Sequence, residues 1–235
     1  DALVKSSNTA AGAVLARMGP RQLVNRLASV GVPLQLDQPD GDIGLAVGLG
    51  GAGLRLVDLV ALYRGLARGG LVEPPRFAAV PAAQAAAVAH RMMATDAAYA
   101  VTDILADMPA PAGFVRLASE DGGRRIAYKT GTSYSYRDAW SVGFDRLHTV
   151  GVWVGRSDGA PHIDAYGLTA AAPIMYRVFE ALPVPESDVA GEPPSASVFA
   201  PGAVVPARLA RFEARPGNEV QRRALRIVFP REGLE

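Results

Sequence analysis

A change of hydrophobic period near residue 124 is the strongest constraint on the fold. Arg124 to Thr132, Asp138 to Asp145 and Leu147 to Gly155 are short runs rich in Val, Trp, Phe and Tyr, separated by polar turns. Such residues suit a pleated, half-buried surface, and turns this short join antiparallel strands. The runs therefore read as three adjacent antiparallel strands. A helical pattern resumes at Leu168 to Leu182, apolar at Ile174, Met175, Val178, Phe179 and Leu182. Helices, then a meander, then a closing helix imply an α+β architecture, an antiparallel sheet packed with helices.

Punctuation upstream sets the helices. Asn8 or Thr9 can cap a helix through Met18, which Gly19 ends. Pro20 suits the first turn of a second helix, through about Val30 and closed by Gly31. From Gly44 to Gly53 small residues alternate with Leu45, Val47 and Leu49, which reads as a buried loop. Leu56 to Arg68 carries Leu59, Leu62, Tyr63 and Leu66 on one side of a helix stopped by Gly69-Gly70. Residues 71–94 fit neither period. Thr95-Asp96 opens a helix to about Asp107, ended by Pro109-Ala110-Pro111. Beyond Pro183 the chain is rich in Pro, Ser, Ala and Gly to about Pro206, and Ala224 to Phe229 reads as a lone strand. The expected organisation is a main domain over 1–185, a linker over 186–223, and the start of a β domain over 224–235.

Composition narrows the chemistry by exclusion. Twenty-four Lys+Arg balance 23 Asp+Glu, so there is no electrostatic case for nucleic acid or an anionic membrane surface. No run approaches the about 18 apolar residues of a membrane span. Zero cysteines exclude disulfides, thiolate metal sites and cysteine nucleophiles. The three histidines, His90, His148 and His162, lie in separate segments, which argues against a Ser-His-Asp triad or a histidine metal site. No cofactor or metal is implied.

Two clusters remain. Tyr128-Lys129-Thr130-Gly131-Thr132-Ser133 places a point charge, two stiff hydroxyls and a glycine on the first strand. Gly131 there lets another backbone approach closely. Lys5-Ser6-Ser7-Asn8 places an S-x-N triplet, Ser6 and Asn8, just before a helix. Taken alone, the first is a solvated strand end and the second a helix cap. Together they would flank an extended peptide ending in a carboxylate. The lysine and threonines would hold the carboxylate, while serine and asparagine relay protons and hold an amide carbonyl.

Lys129-Thr130-Gly131-Thr132-Ser133-Tyr134, Arg137-Asp138-Ala139-Trp140, Val142-Gly143-Phe144, Val152-Trp153-Val154-Gly155-Arg156 and Asp158-Gly159 together resemble a known family. It is the transpeptidase domain of class A (bifunctional) penicillin-binding proteins, above all their 1C branch. Leu49-Gly50-Gly51-Ala52-Gly53 before a helix and Ser6-Ser7-Asn8 also fit, and the resemblance covers roughly residues 1–185. The tail, ending in Leu225-Arg226-Ile227-Val228-Phe229-Pro230, is similar to the linker and opening strand of that type's small C-terminal β domain.

The resemblance implies a penicilloyl-serine transferase fold, incomplete at the N-terminus. It implies D,D-transpeptidation, in which a serine attacks the D-Ala-D-Ala bond of a peptidoglycan stem peptide and a neighbouring amine resolves the acyl-enzyme. By motif, Ser6 would shuttle protons to the leaving amine and Asn8 would bind the substrate's amide carbonyl. Lys129 would supply positive potential. Thr130 and Thr132 would bind the terminal carboxylate, with Gly131 between them, and the Thr132 N–H would form half of the oxyanion hole. The implied partners are stem peptides, β-lactams and other components of cell-wall synthesis. The implied location is the periplasmic face of the bacterial inner membrane, with anchor and glycosyltransferase upstream.

One departure stands out. The family's nucleophile belongs to an S-x-x-K motif, yet no serine here is followed three positions later by lysine, and the only lysines are Lys5 and Lys129. The expectation is a nucleophile upstream of Asp1, and no acylation of the chain as given. Three rivals stay open: a serine β-lactamase, a D,D-carboxypeptidase, and a non-catalytic peptidoglycan-binding module. Among the neighbours, Arg137 and Asp138 read as a structural pair or turn, and Trp140 and Trp153 as core or sheet-face residues. Tyr134 and Tyr136 could line the cleft or pack at a strand end. His148 reads as a strand-surface residue and Lys5 as solvated.

Overall fold

A computed structural model describes residues 2–36, 41, 43–77, 88–114, 124–161 and 166–183. The expected linker and terminal β unit lie outside these residues, as does His162. The meander forms as expected. Strands β3 (Ala127–Thr132), β4 (Asp138–Phe144) and β5 (Thr149–Gly155) make one antiparallel sheet in that order. Lys129 pairs with Val142 and Gly131 with Trp140, while Trp140 pairs in turn with Trp153. Two short strands, β1 (Leu71–Val72) and β2 (His90–Arg91), form a separate ribbon within the stretch whose period was indecisive.

Among the described residues there are five α-helices: α1 (Asn8–Met18), α2 (Pro20–Ser29), α3 (Leu56–Ala67), α4 (Thr95–Ala106) and α5 (Ala172–Ala181). The two sheet faces bury different helices because strand side chains alternate. On one face Ala139 packs on Ala171, and Ser141 donates to Met175 Sδ at 3.3 Å, so α5 lies there. On the other, Phe144 meets Tyr63 of α3 edge-on with centroids 6.4 Å apart. Gly151 is required on that face, because a Cβ would lie 2.4 Å from Val60 Cγ2 of α3. Ile126, Tyr128, Met175, Tyr176 and Phe179 form the core under α5. Ala98, Leu105, Ala127 and Phe144 form the core under α3 and α4.

Three local expectations change. Ser7, not Asn8 or Thr9, caps α1, its Oγ accepting Ala10 N–H at 3.3 Å. The stretch Gly44 to Gly53 contains a 3₁₀ helix, Leu45–Leu49, which rests on α1 with Leu45 and Leu49 exposed, so it is not a buried loop. In α5, Ile174 and Val178 are exposed, while Ala172, Met175, Tyr176 and Phe179 are buried. Both sets have helical spacing and share Met175 and Phe179. Tyr176 decides between them, since its ring packs on Phe114 and Tyr128 at 5.4 and 5.5 Å, a larger burial than Ile174 or Val178 offers.

A buried ion pair locks these layers. Arg124 Nε lies 2.9 Å from Asp145 Oδ2, with side chains only 3% and 0% exposed. The same guanidinium donates to the carbonyls of Phe179, Leu182 and Pro183 at the end of α5 and stacks over the Phe179 ring. Asp145 also accepts the backbone N–H groups of Leu147 and His148 at 2.8 and 2.6 Å. His148 is thus part of this turn, its Nδ1 lying 3.3 Å from Asp145 Oδ2. Removing one partner strands the other charge, so Arg124→Ala should lower stability by about 3–5 kcal/mol. Arg156→Ala, in an exposed pair with Asp158, should leave the midpoint almost unmoved. Urea unfolding of both variants checks the contrast.

Candidate active site

The outer edge of β3 carries no paired strand among the described residues, and the lysine cluster lies along it. Along β3, Lys129 and Thr130 are half-buried, and Gly131 and Thr132 are exposed. The N-terminal segment reaches this edge by a tight turn, in which Ser6 N–H donates to Leu3 O at 3.1 Å and Ser7 N–H to Ala2 O at 2.9 Å. Val4 holds the turn in place by packing against the core that contains Tyr128 and Tyr176. Ser6 itself sits at φ 52°, in the left-handed region. A non-glycine residue there is strained, at a cost of about 1–3 kcal/mol, and tertiary contacts must hold it.

The contact that holds Ser6 is with Lys129. Its Nζ donates to Ser6 Oγ across a separation of 123 residues, and to Thr130 O at 3.0 Å. Burial disfavours the charged ammonium and pulls the Lys129 pKa below its ordinary value. Since Lys129 donates to it, the Ser6 oxygen accepts, and its own hydrogen can be donated elsewhere. Capping of α1 falls to Ser7, so Asn8 is released from it. Asn8 stands exposed in the first turn, two positions past Ser6. No hydrogen bond joins it to β3 among the described residues. Lys5 is exposed.

Thr132 is oriented by a residue that the pattern did not single out. Gly167 N–H donates to Thr132 Oγ1 at 3.0 Å. The hydroxyl oxygen is thereby engaged as an acceptor, which turns its hydrogen outward as a donor. Gly167 opens a π-helical turn, Gly167–Ala171, ahead of α5. A Cβ on it would lie 2.4 Å from Gly131 O and 2.5 Å from Trp140 O. The close backbone approach expected at Gly131 is therefore made by Gly167. A Cβ on Gly131 would meet only Trp140 Cβ, at an ordinary 3.7 Å. The only sequence signal for Gly167 was a glycine before a helix, which usually marks an end rather than a contact.

Asp138 closes the strand end. It accepts from Ser133 Oγ at 2.8 Å and from Trp153 Nε1 at 2.8 Å, and its N–H donates to Ser133 Oγ at 2.9 Å. It builds the turn with these partners in place of the expected Arg137. Trp140 and Trp153 lie on the sheet face, their ring centroids 6.3 Å apart.

No family model matches the chain. Penicillin-binding protein 1C of Escherichia coli is 36% identical over 182 residues, 76% of this chain and 22% of the relative. The chain belongs to the class A penicillin-binding proteins. It corresponds to their transpeptidase region. Penicillin-binding protein 1A of Mycobacterium tuberculosis is 28% identical over 196 residues, 71% of this chain and 23% of that protein. The chain thus spans less than a quarter of these curated relatives. The solved penicillin-binding protein PonA1 of M. tuberculosis superposes with a TM-score of 0.60 at 24% identity, over 82% of this chain and 61% of that one. PonA1 in complex with penicillin V matches with a TM-score of 0.59, at 23% identity over 83% and 60% of the two chains. These structural matches establish the α+β transpeptidase fold. Within this penicillin-binding protein, Gly167→Ala should displace the π-helical turn from β3. The backbone amide of residue 167, hydrogen-bonded to Thr132, should then exchange with deuterium at least about tenfold faster, the loss of about 1.4 kcal/mol of hydrogen-bond protection. An unchanged rate would show that Thr132 is oriented otherwise.

Proposed function

We propose that this chain supplies two of the three side-chain groups of a peptidoglycan D,D-transpeptidase site. The contact of Lys129 with Ser6 carries the reading, because it joins the two motif clusters at one strand edge. A stem peptide would lie along β3 as an added strand. Its terminal carboxylate would meet the Lys129 charge and the Thr130 and Thr132 hydroxyls. Asn8 would hold the amide carbonyl next to the scissile bond.

The nucleophilic serine and its lysine would come from an S-x-x-K segment that this sequence does not contain. That serine's oxygen attacks the penultimate D-Ala carbonyl, and its proton passes to the partner lysine. The C–N bond breaks, and the departing D-alanine amine takes a proton relayed through the Ser6 hydroxyl. The Thr132 N–H would stabilise the oxyanion. An amine from a second stem peptide then displaces the serine. A β-lactam enters the same path and remains as the acyl adduct. The complex of PonA1 with penicillin V supports that part of the reading. The parent protein would work on the periplasmic face of the inner membrane, held by an anchor outside this chain. Among the described residues no helix is long and apolar enough to cross a membrane.

Three outcomes follow. Lys129→Ala in the complete parent should slow β-lactam acylation by about 10²–10³, read by stopped-flow with a fluorescent penicillin. The 235-residue chain alone should form no penicilloyl adduct by intact-mass spectrometry, since no serine here is followed three positions later by lysine, the spacing that puts both on one helix face. An adduct on any of its serines would relocate the catalytic centre. The third outcome concerns pH. Because burial lowers the Lys129 pKa, its charge is fully present below that lowered value and lost as pH rises through it. Acylation should therefore fall on an alkaline limb below the ordinary lysine pKa, and Lys129→Arg should move that limb upward.

A further inference from the structure

The role proposed for the Thr132 N–H depends on how firmly the end of β3 is held. Ser133 N–H donates inward to Asp138 O at 2.9 Å. Peptide groups alternate in direction along an antiparallel strand, so the N–H of Thr132, which pairs opposite Ala139, faces away from β4. It faces the edge that carries no paired strand among the described residues. No bond to β4 fixes it directly. Its direction is set by the rungs on either side, Gly131 against Trp140 and Ser133 against Asp138. The second of these is the last rung, and terminal rungs open most easily.

The turn beyond that rung is strained. Ser135 and Tyr136 adopt left-handed backbone, at φ 58° and 56°, which non-glycine residues rarely occupy. The Tyr136 ring is carried edge-on to Tyr166, with centroids 5.0 Å apart. Ser133 O is drawn into the same turn, where it accepts Tyr136 N–H at 3.2 Å.

Asp138 reinforces the rung with its side chain. Its N–H donates to Ser133 Oγ at 2.9 Å, and Ser133 Oγ donates to Asp138 Oδ2 at 2.8 Å. The other carboxylate oxygen, Oδ1, accepts Trp153 Nε1 at 2.8 Å. Gly155 makes room for that contact. It pairs opposite Asp138, and a Cβ on it would lie 2.4 Å from Trp153 Cζ2. The indole thus crosses Gly155 to reach the carboxylate, and one side chain ties β3, β4 and β5 together just past Thr132.

We infer that Asp138, steadied by Trp153, is a positioning residue for acyl transfer, holding the Thr132 N–H in line for the developing oxyanion. The inference rests on the acyl-transfer reading above and gives Asp138 no contact with the reacting atoms. The groups proposed to bind the ligand carboxylate are held by other contacts. Lys129 is held by Ser6 Oγ and Thr130 O, and Thr132 Oγ1 by Gly167 N–H. Loosening the last rung therefore slows bond formation and leaves reversible binding nearly intact.

The test uses the complete parent protein and a fluorescent penicillin in stopped-flow. A concentration series separates the first-order acylation constant from the half-saturating concentration. Asp138→Ala should lower the constant about tenfold, short of the about 10²–10³ for outright loss of an oxyanion donor, with half-saturation within about twofold of wild type. Trp153→Phe keeps a ring but removes the Nε1 donor, and should lower the same constant by a smaller factor. Asp138→Asn keeps an acceptor for Trp153 and a polar group facing Ser133, so it should recover most of the rate. An unchanged constant in both Asp138→Ala and Trp153→Phe overturns the inference. So does a loss carried wholly by half-saturation, or an Asp138→Asn variant as slow as Asp138→Ala. If Asp138→Ala does not fold, Trp153→Phe decides. A wild type that forms no adduct overturns instead the acyl-transfer reading, and the inference with it.

Discussion

The buried guanidinium of Arg124 is the point on which the architecture turns. A charge taken out of water must find compensation or it destabilises the fold. Arg124 finds it in Asp145, in the last carbonyls of α5 and in the Phe179 ring. The carbonyls are suited to it, since the C-terminal end of a helix carries partial negative charge and lacks intrahelical partners. One side chain thereby joins the entry to β3, the turn between β4 and β5, and the end of α5. These three elements set how α5 lies on the sheet.

That setting reaches the site through the other end of the same helix. The π-helical turn ahead of α5 presses Gly167 against the β3 backbone, and its N–H orients Thr132. Thr132 is thus held in place by packing some distance away, as the proposed role of its backbone in stabilising a charge would require. Lys129 illustrates the opposing pull. Its position beside Ser6 requires partial burial, which weakens the charge that the proposed role would use. Two acceptor oxygens, Ser6 Oγ and Thr130 O, offset part of that loss.

The strained residues sort with this picture. Ser6, Ser135 and Tyr136 are the non-glycine residues with left-handed backbone among those described, and all three lie at or next to the strand edge. The first presents a hydroxyl to Lys129. The other two carry the Tyr136 ring to Tyr166. Strain of this kind marks places where position matters more than local comfort.

Much of this was legible in the sequence. The change of period gave the meander within a few residues, because alternation and turn chemistry are local properties. Glycine and proline gave the helix ends for the same reason. The lysine and serine clusters were recognisable as residue types, and the resemblance they carry led to the family. What the sequence could not decide was which of two helical stripes on α5 faces inward, which residue near Ser6 caps α1, and which glycine lies against β3. Each depends on a partner far along the chain: Tyr176 on Phe114 and Tyr128, Ser6 on Lys129, Gly167 on Gly131 and Trp140. The sequence by itself determined the elements and the chemistry available. Only the tertiary structure decided which groups meet, because long-range contacts are settled by packing volume and hydrogen-bond geometry, which no local pattern records.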